Sequence, residues 1–440
     1  MRTISTLLLI FSCLAGSIHS LQAQPARSSN RELPRGEWRV YASQEQAAAQ
    51  EGNNYLRPVS EWNRTDERFT AAFIVPFSWI NRQVLFQLEE ASAAYDLFVN
   101  GKAAGSNSDP ALPAAFNITQ WVREGSNQIE IRLHPADESA PVESWRSHTQ
   151  PAVGNGWVMS QPTLCIRDAF VRTQLGEDRK HATAEVGIIV KSYALNPRTS
   201  RIHYELFDPA GGRITGGTRD ITLDMRREDT IRFLATVADT LLWQPGRPVQ
   251  CTLRLKTQHE GRFAEYIELP VGLRDVQVDA TGEMQLNGVP VSLHAATLPP
   301  TATAQQIEAL REAGFNAVKL NPGSVRPGLY DDCDRLGMLV IAQAPIDTRT
   351  SGASRKRGGN PSNDPAWRDN FIERVTDSYY TAKRHPSVVA FSIAEASANG
   401  ICLYESYLRA KQLGDPRPFI YRDGGNEWNN DPLQLDLRRE

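Results

Sequence analysis

Two acidic residues stand at the ends of apolar stretches, where a carboxyl group is placed to exchange protons with a bound substrate. Glu395 lies in HPSVVAFSIAEASANG, after the apolar run at 388–393, and Asp347 ends the stretch MLVIAQAPID. Because an acid at the end of a buried strand can serve as a general acid or base, Glu395 is the candidate for that role. Asp347 is the second candidate, and its alternative interpretation is a residue that caps the following loop or helix.

These carboxylates belong to a region, at about 279–440, in which strands and helices alternate. The predicted strands are VPVSLHAAT, NAVKLN, MLVIAQAP, SVVAFSIA and RPFIYRDG. Thr303 is expected to cap the first helix, and Asp364 followed by Pro365 marks the start of a later one. Alternation predicts parallel βα units, and near-continuous apolar strands suit a sheet that is covered on both faces. We therefore expect a partial TIM-type βα barrel of about five strands.

Two all-β regions, at about 24–166 and 167–278, precede the barrel. Their short stretches of β-branched and aromatic residues are separated by Gly, Pro, Asn and Ser, which predicts strands joined by turns. Asn100-Gly101 predicts a tight hairpin, because both residues accept positive φ values. The first region is predicted to be a β-sandwich, and the second a sandwich of immunoglobulin-like size.

The composition indicates an ordinary globular protein with 48 basic and 51 acidic residues, and this balance gives no reason to expect a nucleic-acid partner. Residues 1–23 have the pattern of a signal peptide, which predicts a secreted or periplasmic protein, with a lipoprotein through Cys13 as the alternative. No later run predicts a membrane span. No metal site or cofactor is predicted. Four cysteines are expected to be isolated buried thiols, with a disulfide left open: Cys165, Cys251, Cys333 and Cys402.

The order of these regions and six motifs resemble glycoside hydrolase family 2, which includes β-galactosidases, β-glucuronidases and β-mannosidases. The motifs are AAYDLFVNGKAAG, CIRDAFV, LLWQPGRPVQCTLRL, LREAGFNAVKL, LYDDCDRLGMLVIAQAPID and HPSVVAFSIAE. The resemblance covers nearly the whole chain after residue 23. It implies that 24–166 is a sugar-binding jelly roll, that 279–440 is a catalytic-type barrel, and that the partner is a carbohydrate, either a β-glycoside or a glycan.

The sequence departs from the family at the positions that carry the family's chemistry. In the family the fourth barrel strand ends in Gly-Asn-Glu, and this Glu is the general acid/base. Here Ala394, Glu395 and Ala396 stand at those positions. A shift of one residue along a strand turns a side chain to the opposite face, unless a bulge re-aims it. At the ends of the first three strands the family's polar residues are replaced by Thr297, Leu298, Pro299, Lys319, Pro322, Ala342 and Gln343.

The family's nucleophile, a Glu on a seventh strand, has no counterpart among the predicted strands, so the resemblance implies a C-terminally incomplete barrel. Three functions stay open. The first is a β-galactosidase-like protein that is impaired in hydrolysis and binds glycans. The second is an active retaining β-glycosidase that uses Glu395. The third is a secreted interaction or assembly module whose open barrel edge is covered by a partner, by a second copy of the chain or by the C-terminal tail. Candidate substrate-binding residues are Trp145, Trp157, Asn321 and Gln343.

Overall fold

The computed structural model describes residues 30–33, 39–41, 56–135, 138, 140–146, 150–421 and 429–438. The predicted signal peptide at 1–23, with Cys13, lies outside these residues. Within the described part of the chain no helix has the length and apolar character needed to cross a membrane. The four remaining cysteines are buried and form no disulfide among the residues that the structure describes, which agrees with the prediction of isolated thiols.

The N-terminal region forms a sandwich of two five-stranded antiparallel sheets, as the alternation of apolar and polar residues predicts. In β5, for example, Phe69, Ala71, Phe73 and Val75 face the core. The hairpin at Asn100-Gly101 has the expected positive φ values of 50° and 76°. The sheet orders are β1-β9-β6-β11-β3 and β4-β5-β10-β7-β8. In chain order, β1 to β11 are Arg31–Glu32, Arg39–Tyr41, Leu56–Val59, Asn63–Thr65, Arg68–Val75, Gln83–Leu88, Tyr95–Val99, Lys102–Asn107, Ala114–Asn117, Gly125–Leu133 and Gly156–Gln161.

A second antiparallel sandwich follows, with sheets ordered β12-β13-β16 and β15-β14-β17-β18-β2. Strand β2 comes from the N-terminal part of the chain, so that segment contributes to both sandwiches. Buried residues alternate along β13 from Ala182 to Val190 and pack into the core between the sheets. In chain order, β12 to β18 are Leu164–Leu175, His181–Ser192, Arg198–Phe207, Arg213–Leu223, Glu228–Ala238, Cys251–His259 and Arg262–Val271.

The C-terminal region begins with a small meander and continues as a parallel sheet with helices on its outer face. The strands β19 to β27 are Val276–Val278, Met284–Leu286, Val289–Val291, Leu293–Leu298, Ala317–Leu320, Leu339–Gln343, Val388–Ser392, Phe419–Ile420 and Leu435–Arg438. The helices α1 to α4 are Ala304–Glu312, Leu329–Leu336, Arg368–Ala382 and Ile401–Lys411. Short 3-10 helices lie at Phe77–Trp79, Ala140–Val142, Asp239–Leu241, Arg349–Ser351, Pro361–Asn363 and Pro365–Trp367.

The two faces of the parallel sheet form separate apolar layers. The inner layer includes Ala295, Ala317 and Ile341, and the outer layer packs Val318 and Val340 against the helices. This double burial explains why the strands are apolar throughout. Thr303 caps α1 with a capping box, and Asp364 caps the turn that leads into α3, so both predicted helix starts are confirmed.

The predicted partial barrel is confirmed, and it contains one parallel strand more than the sequence predicted. The sheet order is β26-β25-β24-β23-β22-β27, so β27 pairs beside the first barrel strand, β22. Strand β27 is not among the predicted strands, because it has only four residues, of which Leu435 and Leu437 face the inner layer. A two-residue period over so short a stretch is a weak signal.

The opposite edge of the sheet, strand β26, is covered by the chain's own later segment. Asp431 accepts a hydrogen bond from Phe419 N at 2.8 Å through its side chain, and its own N–H donates to Phe419 O at 2.9 Å. Asp431 is held in place by Tyr407 at 2.7 Å and Lys411 at 2.8 Å, both on α4. The segment thereby satisfies backbone groups that a bare edge strand leaves unpaired.

Arg374, which is fully buried on α3, joins the first sandwich to the barrel. Its guanidinium donates to Asn370 Oδ1 at 2.9 Å and to Pro345 O at 2.8 Å within the barrel. It also donates to Ser108 O at 3.0 Å and to Glu143 Oε1 at 2.6 Å in the sandwich region. All of these groups are removed from water, so the position of one domain on the other depends on this network.

A second arginine extends the same interface. Arg31, on β1, donates to Asp377 Oδ2 at 3.0 Å, to Glu373 Oε1 at 3.4 Å and to Asn107 Oδ1 at 3.2 Å. Helix α3 therefore offers acidic side chains to the sandwich on the same side as Arg374.

We predict that Arg374→Met lowers the free energy of unfolding by about 3–5 kcal/mol, because it leaves one oxygen of the buried Glu143 carboxylate without its cation. Denaturant unfolding followed by circular dichroism measures the change. Arg368→Met is the matched control on the same helix. Its side chain is 52% exposed and pairs with Glu405 at the surface, so its loss is expected to cost at most about 1 kcal/mol. Equal losses in the two variants would contradict the role given to Arg374.

Asp109, a buried residue of the same interface, is expected to make the free energy of unfolding depend on pH. Burial raises the pKa of Asp109 to about 6 despite the opposing effect of Arg374, and its Oδ2 atom is buried with no hydrogen-bond partner among the described residues. Because its pKa is higher in the folded than in the unfolded chain, Asp109 makes unfolding easier as the pH rises from about 4 to 6. Asp109→Asn is expected to flatten that part of the stability curve, with a gain of about 1–3 kcal/mol at pH 7. An unchanged slope in denaturant melts between pH 4 and 7 would contradict this assignment.

Candidate functional site

The carboxyl ends of the barrel strands bring three of the singled-out side chains together. Lys319, near the end of β23, donates to Gln343 Oε1 at the end of β24 at 2.9 Å, and it forms an ion pair with Glu395 Oε2. Lys319 and Gln343 are buried, and the Glu395 side chain is 20% exposed. We call this end of the barrel, where Lys319, Gln343 and Glu395 meet, the mouth.

Glu395 reaches the mouth because the end of its strand is irregular. The pairing of β24 with β25 shifts register between Val340 and Ile341, and β25 ends at Ser392. Beyond that point Glu395 N donates to Ile346 O at 2.8 Å, and Ala396 has a φ of 35°, which residues other than glycine rarely adopt. The one-residue displacement expected from the sequence is thus offset by a bend, and the carboxylate points to the mouth.

Asp347 is fully buried, and its carboxylate is held by the loop that follows it. Oδ1 accepts a hydrogen bond from Arg349 N at 3.1 Å, and Oδ2 accepts from Arg349 Nη2 at 2.5 Å and from Nε at 2.9 Å. The bond from Arg349 N to the carboxylate two residues before it is a local side-chain turn, which leads into the 3-10 helix Arg349–Ser351, whose N-cap residue is Thr348.

A loop of the first sandwich closes one side of the mouth. Asp347 N donates to Val142 O and Ser144 N donates to Asp347 O, both at 2.9 Å, so residues 142–144 pair alongside Asp347. Ser144 Oγ also lies 2.7 Å from Thr350 Oγ1. These bonds fix the sandwich loop directly beside the segment that positions Glu395.

Trp145 lies on this loop, half-buried against the barrel. A β-carbon at Gly323, after β23, would lie 3.6 Å from the indole ring, and the Arg146 guanidinium lies 4.6 Å from the ring centroid. The indole Nε1 is buried and has no hydrogen-bond partner within the part of the chain that the structure describes. Trp145 therefore forms part of the wall between the sandwich loop and the rim of the barrel.

The other two candidate binding residues have different surroundings. Asn321 is exposed just after β23, where its N–H donates to Leu298 O at 2.9 Å. Trp157 lies on β11 and is bonded to Glu89, a sandwich residue whose pKa is raised by burial against the opposing effect of this bond. Asn321 thus stands at the end of a barrel strand, whereas Trp157 is held by its own sandwich.

Lys319 and Glu143 are the residues of this site that the sequence analysis did not select. Lys319 was noted as a departure from the family pattern, and its signal is a single charge inside the apolar stretch NAVKLN. Glu143 is fully buried and bonded to both Arg146 at 2.6 Å and Arg374. Arg146 is only three residues from Glu143, but Arg374 is 231 residues away, and this distant pairing has no local signal in the sequence.

Family models match two parts of the chain. The model described as "Glycosyl hydrolases family 2, TIM barrel domain" matches residues 295–437, and "Glycosyl hydrolases family 2" matches residues 164–274. Together they cover the second sandwich and the barrel.

Among curated proteins, the chain is 24% identical over 369 residues to a β-galactosidase of Vibrio cholerae, covering 79% of this chain and 35% of the relative. It is 26% identical over 362 residues to a β-galactosidase of Photobacterium profundum, covering 76% of this chain and 33% of the relative. The chain thus spans about a third of the length of these relatives.

Solved structures share the fold. A glycosyl hydrolase family 2 member from Bacteroides cellulosilyticus matches with a TM-score of 0.64 and 19% identity, over 80% of this chain and 49% of that one. A β-glucuronidase from Bacteroides uniformis matches with a TM-score of 0.65 and 16% identity, over 89% of this chain and 52% of that one.

We predict that Lys319 and Glu395 are energetically coupled. Lys319→Met and Glu395→Gln are each expected to destabilise the protein, and the double variant to lose about 1–3 kcal/mol less than the sum, since each single change leaves one charge without its partner. Thermal or denaturant melts of the four proteins give the coupling. Strict additivity would mean that the ion pair does not organise the mouth.

Proposed function

Because the chain belongs to glycoside hydrolase family 2, we propose that it is a β-galactosidase-like protein that binds glycans at the barrel mouth without cleaving them. The observation that carries the proposal is the ion pair between Glu395 and Lys319. In relatives of this family the corresponding strand end supplies the catalytic acid, whereas here the carboxylate is engaged with a buried ammonium group.

The chemistry of retaining hydrolysis supports this proposal. It requires two carboxyl groups about 5–5.5 Å apart, of which one donates a proton and the other attacks the sugar. Glu395 accepts a hydrogen bond from Lys319, and both oxygens of Asp347 accept from Arg349. Ala396, at the family's acid position, has no titratable group. Both acids selected from the sequence are therefore occupied as hydrogen-bond acceptors.

The surroundings of the mouth suit a binding role. Trp145 offers an aromatic surface at the junction of the sandwich loop and the barrel, and Asn321 offers an exposed amide at a strand end. Sites for small ligands usually combine apolar or aromatic walls with a few fixed polar groups. The signal-like residues 1–23 support a secreted or periplasmic location for this activity.

Hydrolysis is the second candidate, because the bend at Ala396 directs the Glu395 carboxylate into the mouth. A working enzyme would use Glu395 as the general acid/base, as the family uses the neighbouring position. A turnover assay distinguishes the two functions, because only a hydrolase releases the sugar from a glycoside.

We expect the purified chain to bind β-galactoside-containing oligosaccharides saturably in calorimetric titrations and to release no nitrophenol from nitrophenyl β-galactoside above a protein-free blank. Trp145→Ala is expected to weaken binding at least tenfold, through loss of the aromatic surface. Phe77→Ala is the matched control, since Phe77 is an aromatic residue of the same sandwich that is 74% exposed.

Two outcomes would overturn the proposal. The first is enzyme-like turnover that Glu395→Gln abolishes, which would establish the hydrolase. The second is the absence of saturable glycan binding in the unaltered protein, which would favour an interaction module. Residual turnover that is equal in the unaltered protein and in Glu395→Gln would exclude Glu395 from the chemistry.

A further inference from the structure

A cavity of about 140 Å³ lies where the second sandwich meets helix α3 and the segment that follows α4. Its sandwich wall includes Leu253, Leu269 and Val271, which are buried apolar residues. Arg172 also lines it and is exposed, so the cavity reaches the surface there. A cavity of this volume accommodates a molecule the size of benzene.

The wall of this cavity carries five basic and two acidic side chains. Both acids are already paired: Asp168 with Lys383, and Asp415 with Arg417 at 2.7 and 2.9 Å. The Asp415 carboxylate, whose pKa lies well below its usual range despite burial because Arg417 stabilises its charge, also accepts a bond from Tyr379 at 3.1 Å. The lining thus carries more basic than acidic side chains.

Arg274 is the basic residue whose bonding is incomplete. Its Nη2 atom donates to His385 O at 3.1 Å and to Val388 O at 3.0 Å, whereas its Nε atom is buried without a hydrogen-bond partner among the described residues. Burial, and then the charge of Arg417, lower the pKa of Arg274 against the opposing effects of Asp415 and Asp334. Buried donors without partners are rare, and a carboxylate is the acceptor that suits a guanidinium.

We propose that this cavity binds a small organic carboxylate, with the carboxylate on Arg274 and the apolar body against the sandwich residues. The bound anion balances the charge of Arg274, which lines the cavity, and offsets the repulsion between Arg274 and Arg417. Because the cavity is built from both the sandwich and the barrel, the ligand also stabilises their contact. The proposal is independent of glycan binding at the mouth.

Benzoate is the probe, titrated by calorimetry at an ionic strength held constant with sodium chloride. We expect saturable binding with one site per chain and a rise in the unfolding temperature. Arg274→Met is expected to weaken the affinity at least tenfold. Arg274→Met also removes the hydrogen bonds to two backbone carbonyls and so affects the structure as well as the charge. Leu413→Trp is therefore a second variant, which fills the cavity from its barrel side and leaves the guanidinium in place. Loss of binding in both variants supports the site.

The controls are Arg232→Met and benzyl alcohol. Arg232 pairs with Glu185 on the same sandwich and is 60% exposed, so its variant should bind benzoate as the unaltered protein does. Benzyl alcohol has the same apolar body without the charge and should bind at least tenfold more weakly. No saturable benzoate binding, equal binding by Arg274→Met or Leu413→Trp, or an equal response to sulfate would each overturn the proposal.

Discussion

The buried guanidinium of Arg374 is the interaction on which the relative position of the domains depends. The Arg374 side chain is fully buried and is not in contact with solvent. Its charge is therefore balanced by the groups that the first sandwich and the barrel place around it. A buried charge contributes little net stability when fully paired, but it is costly when one partner moves. Any displacement of the sandwich on α3 is therefore penalised, and this holds the loop at 140–146 in place.

The positions of the side chains at the mouth of the barrel depend on the loop at 140–146. Glu143 is bonded to Arg374 through one oxygen and to Arg146 through the other. Trp145 lies between Glu143 and Arg146 in the sequence. The backbone of the loop pairs with Asp347, which in turn pairs with Glu395. The candidate site is thus supported by the sandwich as much as by the barrel strands, and its shape is a property of the two domains together.

Local patterns in the sequence predicted much of the fold, because the strand and helix periods, the Thr303 cap and the Asn100-Gly101 hairpin are properties of neighbouring residues. The features that decide the site are not local. The direction of Glu395 depends on a register shift against β24 and on the bend at Ala396, and its pairing with Lys319 joins residues 76 apart in sequence. Strand β27 was missed for a related reason, since its assignment rests on its distant partner β22 and not on its own four residues.

The pairing of β27 with β22 also constrains when the domain can fold. His294 and Asp436, which face each other across these strands, are 142 residues apart, so one edge of β22 stays unpaired until residues 435–438 have left the ribosome. Contacts of such long range are slow to form, and an exposed strand edge is prone to pair with other chains in the meantime. Expression of this protein should accordingly be sensitive to chaperone supply and to the rate of translation.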